Sequence, residues 1–164
     1  MKQKGMNSIM KRFQSCAVLL LALLLLALAG CSGEEKQVDA AALADELKNG
    51  LTFKDEMTAA EDTVRDALYA IDGADVAQGK LYTSSGATAE EIAVFKARDK
   101  EAADRLYKAV QERLKNQKTA FEDYVPAEMT KLNNAVLVKK GNMVVLCVAD
   151  DYAAAKKIVD KALG

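Results

Sequence analysis

Apolar positions along this chain fall into a few distinct rhythms. Residues 16–30 form one unbroken apolar block, CAVLLLALLLLALAG. Beyond residue 38 the spacing shortens into helix-like and strand-like periods. The run VDAAALADELKNG predicts a short helix, with Asp39 as its N-cap and Gly50 as its stop. Met57, Ala60, Val64, Leu68 and Ile71 recur at three- and four-residue spacing, which predicts an amphipathic helix ending before Asp72-Gly73. GKLYTSS and EIAVFKA are short β-prone runs separated by GATAE. A long helix is predicted from about Asp99 to Lys118, with Ala103, Leu106, Tyr107, Val110 and Leu114 as its apolar stripe and Phe121 just beyond. The segment FEDYVPAEMTKLNN, which holds the single proline, Pro126, reads as a connector. AVLVKKGNMVVLCVA predicts a hairpin turning at Gly141-Asn142. A last helix follows from Asp151, with Ala155, Ile158, Val159, Ala162 and Leu163 on one face.

Two of these units align. IAVFKARDKEAADRLYKAV (92–110) set over VVLCVADDYAAAKKIVDKA (144–162) matches Ala97 with Ala149, Asp99 with Asp151, and Ala103 with Ala155. Each half reads strand, turn, strand, helix. The expected class is α+β: a mainly antiparallel four-stranded sheet with helices on one face, a pseudo-duplicated ββα–ββα core, and N-terminal helices before it.

The apolar block at 16–30 is short for a membrane span, which takes about 20 residues. With the basic residues Lys2, Lys4, Lys11 and Arg12 ahead of it, the block fits the hydrophobic region of a secretory signal peptide. It ends Leu28-Ala29-Gly30-Cys31, and this tetrapeptide resembles the lipobox of bacterial lipoproteins. The resemblance implies cleavage between Gly30 and Cys31, with a diacylglyceryl group on the Cys31 thiol. Residues 1–30 would then be a cleaved leader. Residues 31–37 would be a lipidated cysteine and polar tether, reaching about 23 Å when extended. Residues 38–164 would be a single α+β domain held on the outer face of the cytoplasmic membrane. Two acyl chains make such attachment stable without a polybasic patch.

Charge and composition narrow the function. The chain has 23 basic and 24 acidic residues, but four of the basic ones and none of the acidic ones lie in 1–30. Residues 31–164 therefore carry 19 against 24, a formal net charge of −5, which disfavours nucleic acid. There is no histidine, so Ser-His-Asp and Cys-His catalysis and HExxH zinc chemistry are excluded. The cysteines are Cys16, Cys31 and Cys147. With Cys16 removed and Cys31 lipidated, no disulfide framework remains, and Cys147 is expected as a small buried hydrophobe.

Several short motifs, LYTSSGATAEEIAVFKARD (81–99), YVPAE (124–128), NAVLVKKGN (134–142) and VADD (148–151), together resemble domain-of-unknown-function family 4358. These are bacterial lipoproteins common in Gram-positive anaerobes. The likeness runs over roughly residues 38–164. It implies a secreted, lipid-anchored location and brings no activity, ligand or catalytic residue.

The chemistry left to the domain is sparse. The loop TSSGATAEE offers hydroxyls and backbone amides at Ser84, Ser85, Gly86 and Thr88, which could cradle an anion or a peptide end. Thr88-x-x-Glu91 also has the spacing of a helix capping box. The pairs Glu61-Asp62, Glu90-Glu91 and Asp150-Asp151 do not share a helix face, so they are not acid/base dyads by sequence. The spaced oxygen set of a calcium loop is absent, and no cofactor fingerprint is present. The Gly73–Lys80 stretch departs from a phosphate loop in spacing and in Leu81. The expected function is a non-catalytic extracytoplasmic domain binding a protein partner or small ligand. The rivals are a cell-envelope enzyme using carboxylate or Ser/Lys chemistry and a structural subunit docking onto a membrane complex.

Overall fold

The computed structural model describes residues 37–164. The leader, Leu28–Gly30, Cys31 and the tether up to Lys36 lie outside the described residues. Of the described helices, none is long and apolar enough to cross a membrane.

Helix α1 (Ala40–Gly50) starts where Asp39 accepts the amide of Ala42, the expected N-cap. Its buried side chains, Ala40, Leu43, Ala44 and Leu47, recur at three and four residues. A two-residue strand β1 (Thr58–Ala59) and helix α2 (Asp62–Tyr69) follow. Strands β2 (Val76–Thr83) and β3 (Glu91–Ala97) form the first hairpin. Helix α3 (Lys100–Tyr124) is capped by Asp99. Beyond a single turn at Pro126–Glu128 come helix α4 (Met129–Asn133), the hairpin β4 (Val136–Lys140) and β5 (Met143–Val148), and helix α5 (Tyr152–Leu163), capped by Asp151.

The sheet is antiparallel throughout, in the order β1-β2-β3-β5-β4. It has five strands where four were expected. The fifth, β1, is too short to show a period. Helices cover both faces, which corrects the one-face expectation. On one face α1 and α5 pack over Tyr82, Ile92, Val94, Val145 and Cys147. On the other, Tyr69 of α2, the stripe of α3 and Leu132 of α4 pack over Leu81, Ala93, Phe95, Val144 and Leu146. The reason lies in β3 and β5: neither strand has a polar face, and a sheet apolar on both sides has to be covered on both.

The order ββα–ββα stands, yet aligned residues of the two halves point to opposite layers. Ile92 and Val94 face α1 and α5, while their counterparts Val144 and Leu146 face α3. The two closing helices therefore sit on opposite faces, and the halves are not related as a fold duplication.

Helix α2 is in its expected place with a different buried side. Arg65 and Tyr69 are buried, while Val64 and Leu68 are exposed. Met57 lies outside the helix, in the core under α1. The ring of Tyr69 packs edge-on against Phe95 at 5.2 Å, and that contact fixes which side of the helix faces in.

Candidate functional site

The strand pairing brings four loop ends together. Thr83 pairs Glu91, Glu91 pairs Val148, and Val136 pairs Cys147. The 84–90 loop, the 149–151 turn and the end of α4 therefore meet at one end of the sheet, where the 51–56 segment from α1 crosses them.

Glu90 is the hub. It is 1 % exposed. Its carboxylate accepts the backbone amides of Lys54 and Asp55 at 3.0 Å, the hydroxyl of Thr88 at 3.1 Å and the ammonium of Lys131 at 2.8 Å. Lys131 is equally buried and also pairs with Glu128 at 2.9 Å. Glu128 in turn accepts the amide of Ala89. Asp150, about half-exposed, lies 3.8 Å from Lys131 and 3.3 Å from the exposed Lys54. Burial alone would raise the Glu90 pKa, but the bonds from Lys131, Lys54 and Asp55 hold it below the usual carboxylate value. Burial likewise opposes a charged Lys131, and the hydrogen bonds it donates to Glu90 and Glu128 more than offset it, raising its pKa.

Chemically the cluster holds charge and does not pass protons. A general base needs a free lone pair and a pKa near the working pH. Glu90 meets neither need, and a lysine whose pKa is raised is no nucleophile at neutral pH.

The Ser84–Thr88 loop uses its polar groups internally. The Ser84 hydroxyl donates to the Thr88 carbonyl at 2.7 Å, and its amide donates to the Glu90 carbonyl. Ser85 donates its amide at 2.9 Å, and also its hydroxyl, to Asp55. These bonds hold the Asp55 pKa below its ordinary value. Gly86 takes a left-handed φ of 95°. Glu91 opens β3 and follows no capping box, since no helix starts there. The loop thus braces the 51–56 segment.

That segment forms a wall of an open pocket of about 300 Å³, lined by Gly50–Lys54 with Asp150 and Asp151. Leu51 and Phe53 supply its apolar side and Lys54 and Asp150 its charges. Asp151 is committed to the Ala154 amide as the α5 cap.

On the opposite layer Glu91 is also 1 % exposed. It accepts the Tyr69 hydroxyl at 2.5 Å, Arg113 at 3.2 and 2.6 Å, and Gln117 at 3.1 Å. Burial, then Glu91 itself, pushes the Tyr69 pKa well above 10.0. Cys147 is fully buried, and burial pushes its thiol up to about 12.

Sequence reasoning singled out Ser84, Ser85, Gly86 and Thr88; none of them lines the pocket, and the structure ties Ser85 to Asp55 and Thr88 to Glu90. Lys54, Glu90, Lys131 and Asp150 were not proposed as a group. The partners of Glu90 lie 36 and 41 residues away. The one legible signal was that adjacent residues opening a strand face opposite layers.

Comparison with known proteins gives one family. A family model described as a domain of unknown function (DUF4358) matches residues 50–149. The match takes in the pocket segment, Glu90 and Lys131, and stops short of Asp150. No curated protein and no solved structure matches the chain.

Proposed function

Since the chain belongs to the domain-of-unknown-function family DUF4358, we propose that it is a lipid-anchored extracytoplasmic protein that binds and does not catalyse. Its ligand or protein partner is met at the pocket formed by Gly50–Lys54 and Asp150. The anchor reading is supported by the apolar block at 16–30 and the Leu28-Ala29-Gly30-Cys31 signal. It places the protein on the outer face of the cytoplasmic membrane through lipid on Cys31.

One observation carries the non-catalytic reading. The most buried ionisable groups beside the pocket, Glu90 and Lys131, neutralise each other, and Glu90 accepts from four donors. The Ser84 and Ser85 hydroxyls likewise serve a carbonyl and Asp55. An enzyme built on these buried carboxylate, lysine or serine groups would need at least one of them free.

The docking alternative draws on α2, where Val64 and Leu68 are 52 % and 36 % exposed. Two such side chains fall short of the several hundred Å² that mark an interface. The anchor is tested by labelling cells with a fatty acid analogue. The wild type takes the label and Cys31→Ala does not; labelling that persists in the variant would remove the anchor.

A further inference from the structure

The pocket beside Lys54 has opposite charges on facing walls, and this bears on what it takes. Lys54 rises from the 51–56 segment and Asp150 from the turn after β5, with 3.3 Å between ammonium and carboxylate. Both side chains are well exposed, at 60 % and 48 %. A pair this exposed contributes little by itself, so inserting a ligand between its members is not strongly opposed. Each member is anchored from below. The Lys54 amide is fixed on Glu90, and Asp150 lies 3.8 Å from the buried Lys131 ammonium. The Lys54 backbone and the Asp150 carboxylate are therefore held in place, while the Lys54 ammonium, at the end of an exposed and flexible side chain, is free to swing and admit a ligand.

The rest of the lining fits the same polarity. Gly50 is the last residue of α1, so the negative end of that helix adjoins the pocket and favours a cation there. The Asp151 cap already faces the N-terminus of α5, and Lys54 is the cationic side chain among the lining residues that can hold an anion. Leu51 and Phe53, half-buried against the α1–α5 layer, give an apolar wall. The volume of about 300 Å³ is at the lower end of small-molecule sites.

We propose that this pocket binds a small zwitterion of the amino acid or short-peptide class, its carboxylate on Lys54, its ammonium on Asp150 and its side chain against Phe53. The inference rests on the binding reading of the same pocket and names its ligand class.

The test uses the full-length protein in detergent micelles and thermal-shift titration with alanine and alanyl-alanine. N-acetylalanine and alaninamide serve as singly blocked controls. At least one zwitterion stabilises the protein, and each blocked analogue binds about tenfold or more weakly. Lys54→Ala abolishes the response while leaving the unliganded melting temperature nearly unchanged. Asp150→Asn abolishes it too, and its own folding is checked by circular dichroism. Equal binding of a blocked analogue would overturn the inference. So would a response only to uncharged or singly charged fragments, although binding at the pocket would then stand. Cleavage of alanyl-alanine would instead overturn the non-catalytic reading itself.

Discussion

The Lys131 ammonium lies 2.8 Å from a Glu90 carboxylate oxygen, and both side chains are closed off from solvent. An isolated buried charge is strongly unfavourable, so removing one partner is worse than removing both. Lys131→Met strands Glu90 and Glu128 and is expected to destabilise by about 3–5 kcal/mol. The double variant Glu90→Gln/Lys131→Met should recover part of that loss. Urea unfolding of the four proteins in the cycle measures it, and simple additivity would show that the pair does not couple.

The same pair sets an acid limit. Glu90 has its pKa lowered from 4.5 in the fold. Its contribution is therefore full above about 4.5 and is lost as pH falls through the lower folded value. Stability of the wild type should drop below that pH more steeply than that of Glu90→Gln. Parallel acid-unfolding curves would contradict this.

Tyr69 sets an alkaline limit by the opposite sign. Its hydroxyl donates to Glu91 and its pKa is raised well above 10.0. The neutral form is favoured in the fold, so its contribution is full below about 10 and is lost as pH rises beyond it. Tyr69→Phe should lower stability near neutrality by about 1–2 kcal/mol and flatten the alkaline fall. Unfolding at neutral pH and at high pH, with both proteins, reads the two effects.

Cys147 is closed into the α1–α5 layer, and its thiol is pushed up from 9.0 to about 12. Only a thiolate reacts readily. A thiol reagent at mildly alkaline pH should leave the folded protein's Cys147 unmodified and label it in urea. Fast labelling of the folded protein would place the thiol at the surface.

Much of the frame was legible in the sequence, for local reasons. Asp39, Asp99 and Asp151 act at the helix starts they mark, and Gly141-Asn142 turns the β4–β5 hairpin. The long-range relations were hidden. Glu90 and Glu91 read as an adjacent pair, yet each faces a different layer and meets cations 41 and 22 residues onward. The periodic set from Met57 to Ile71 misled because Met57 belongs to the opposite layer. The buried side of α2 is chosen by Arg65, which pairs with Asp62 and Asp66 of its own helix, and by Tyr69, whose partners Glu91 and Phe95 come from β3. The unbroken apolar runs of β3 and β5 did hold the two-sided burial.

Gly79 marks one such relation. A methyl there would lie 2.9 Å from the Arg65 guanidinium, 3.0 Å from Val76 and 3.3 Å from Phe95. Gly79→Ala should therefore destabilise by about 1–3 kcal/mol through overpacking, read by its denaturation midpoint. An unchanged midpoint would mean that Arg65 moves aside freely.

The distinction between binding and catalysis is tested most directly with a digest of bacterial cell-wall material. The full-length protein is incubated with the digest, and bound and free fractions are followed by mass spectrometry over time. The expected result is retention of intact fragments, lost in Lys54→Ala, with no new product. A product that accumulates with time and disappears in Asp150→Asn would contradict it and make the pocket an active site.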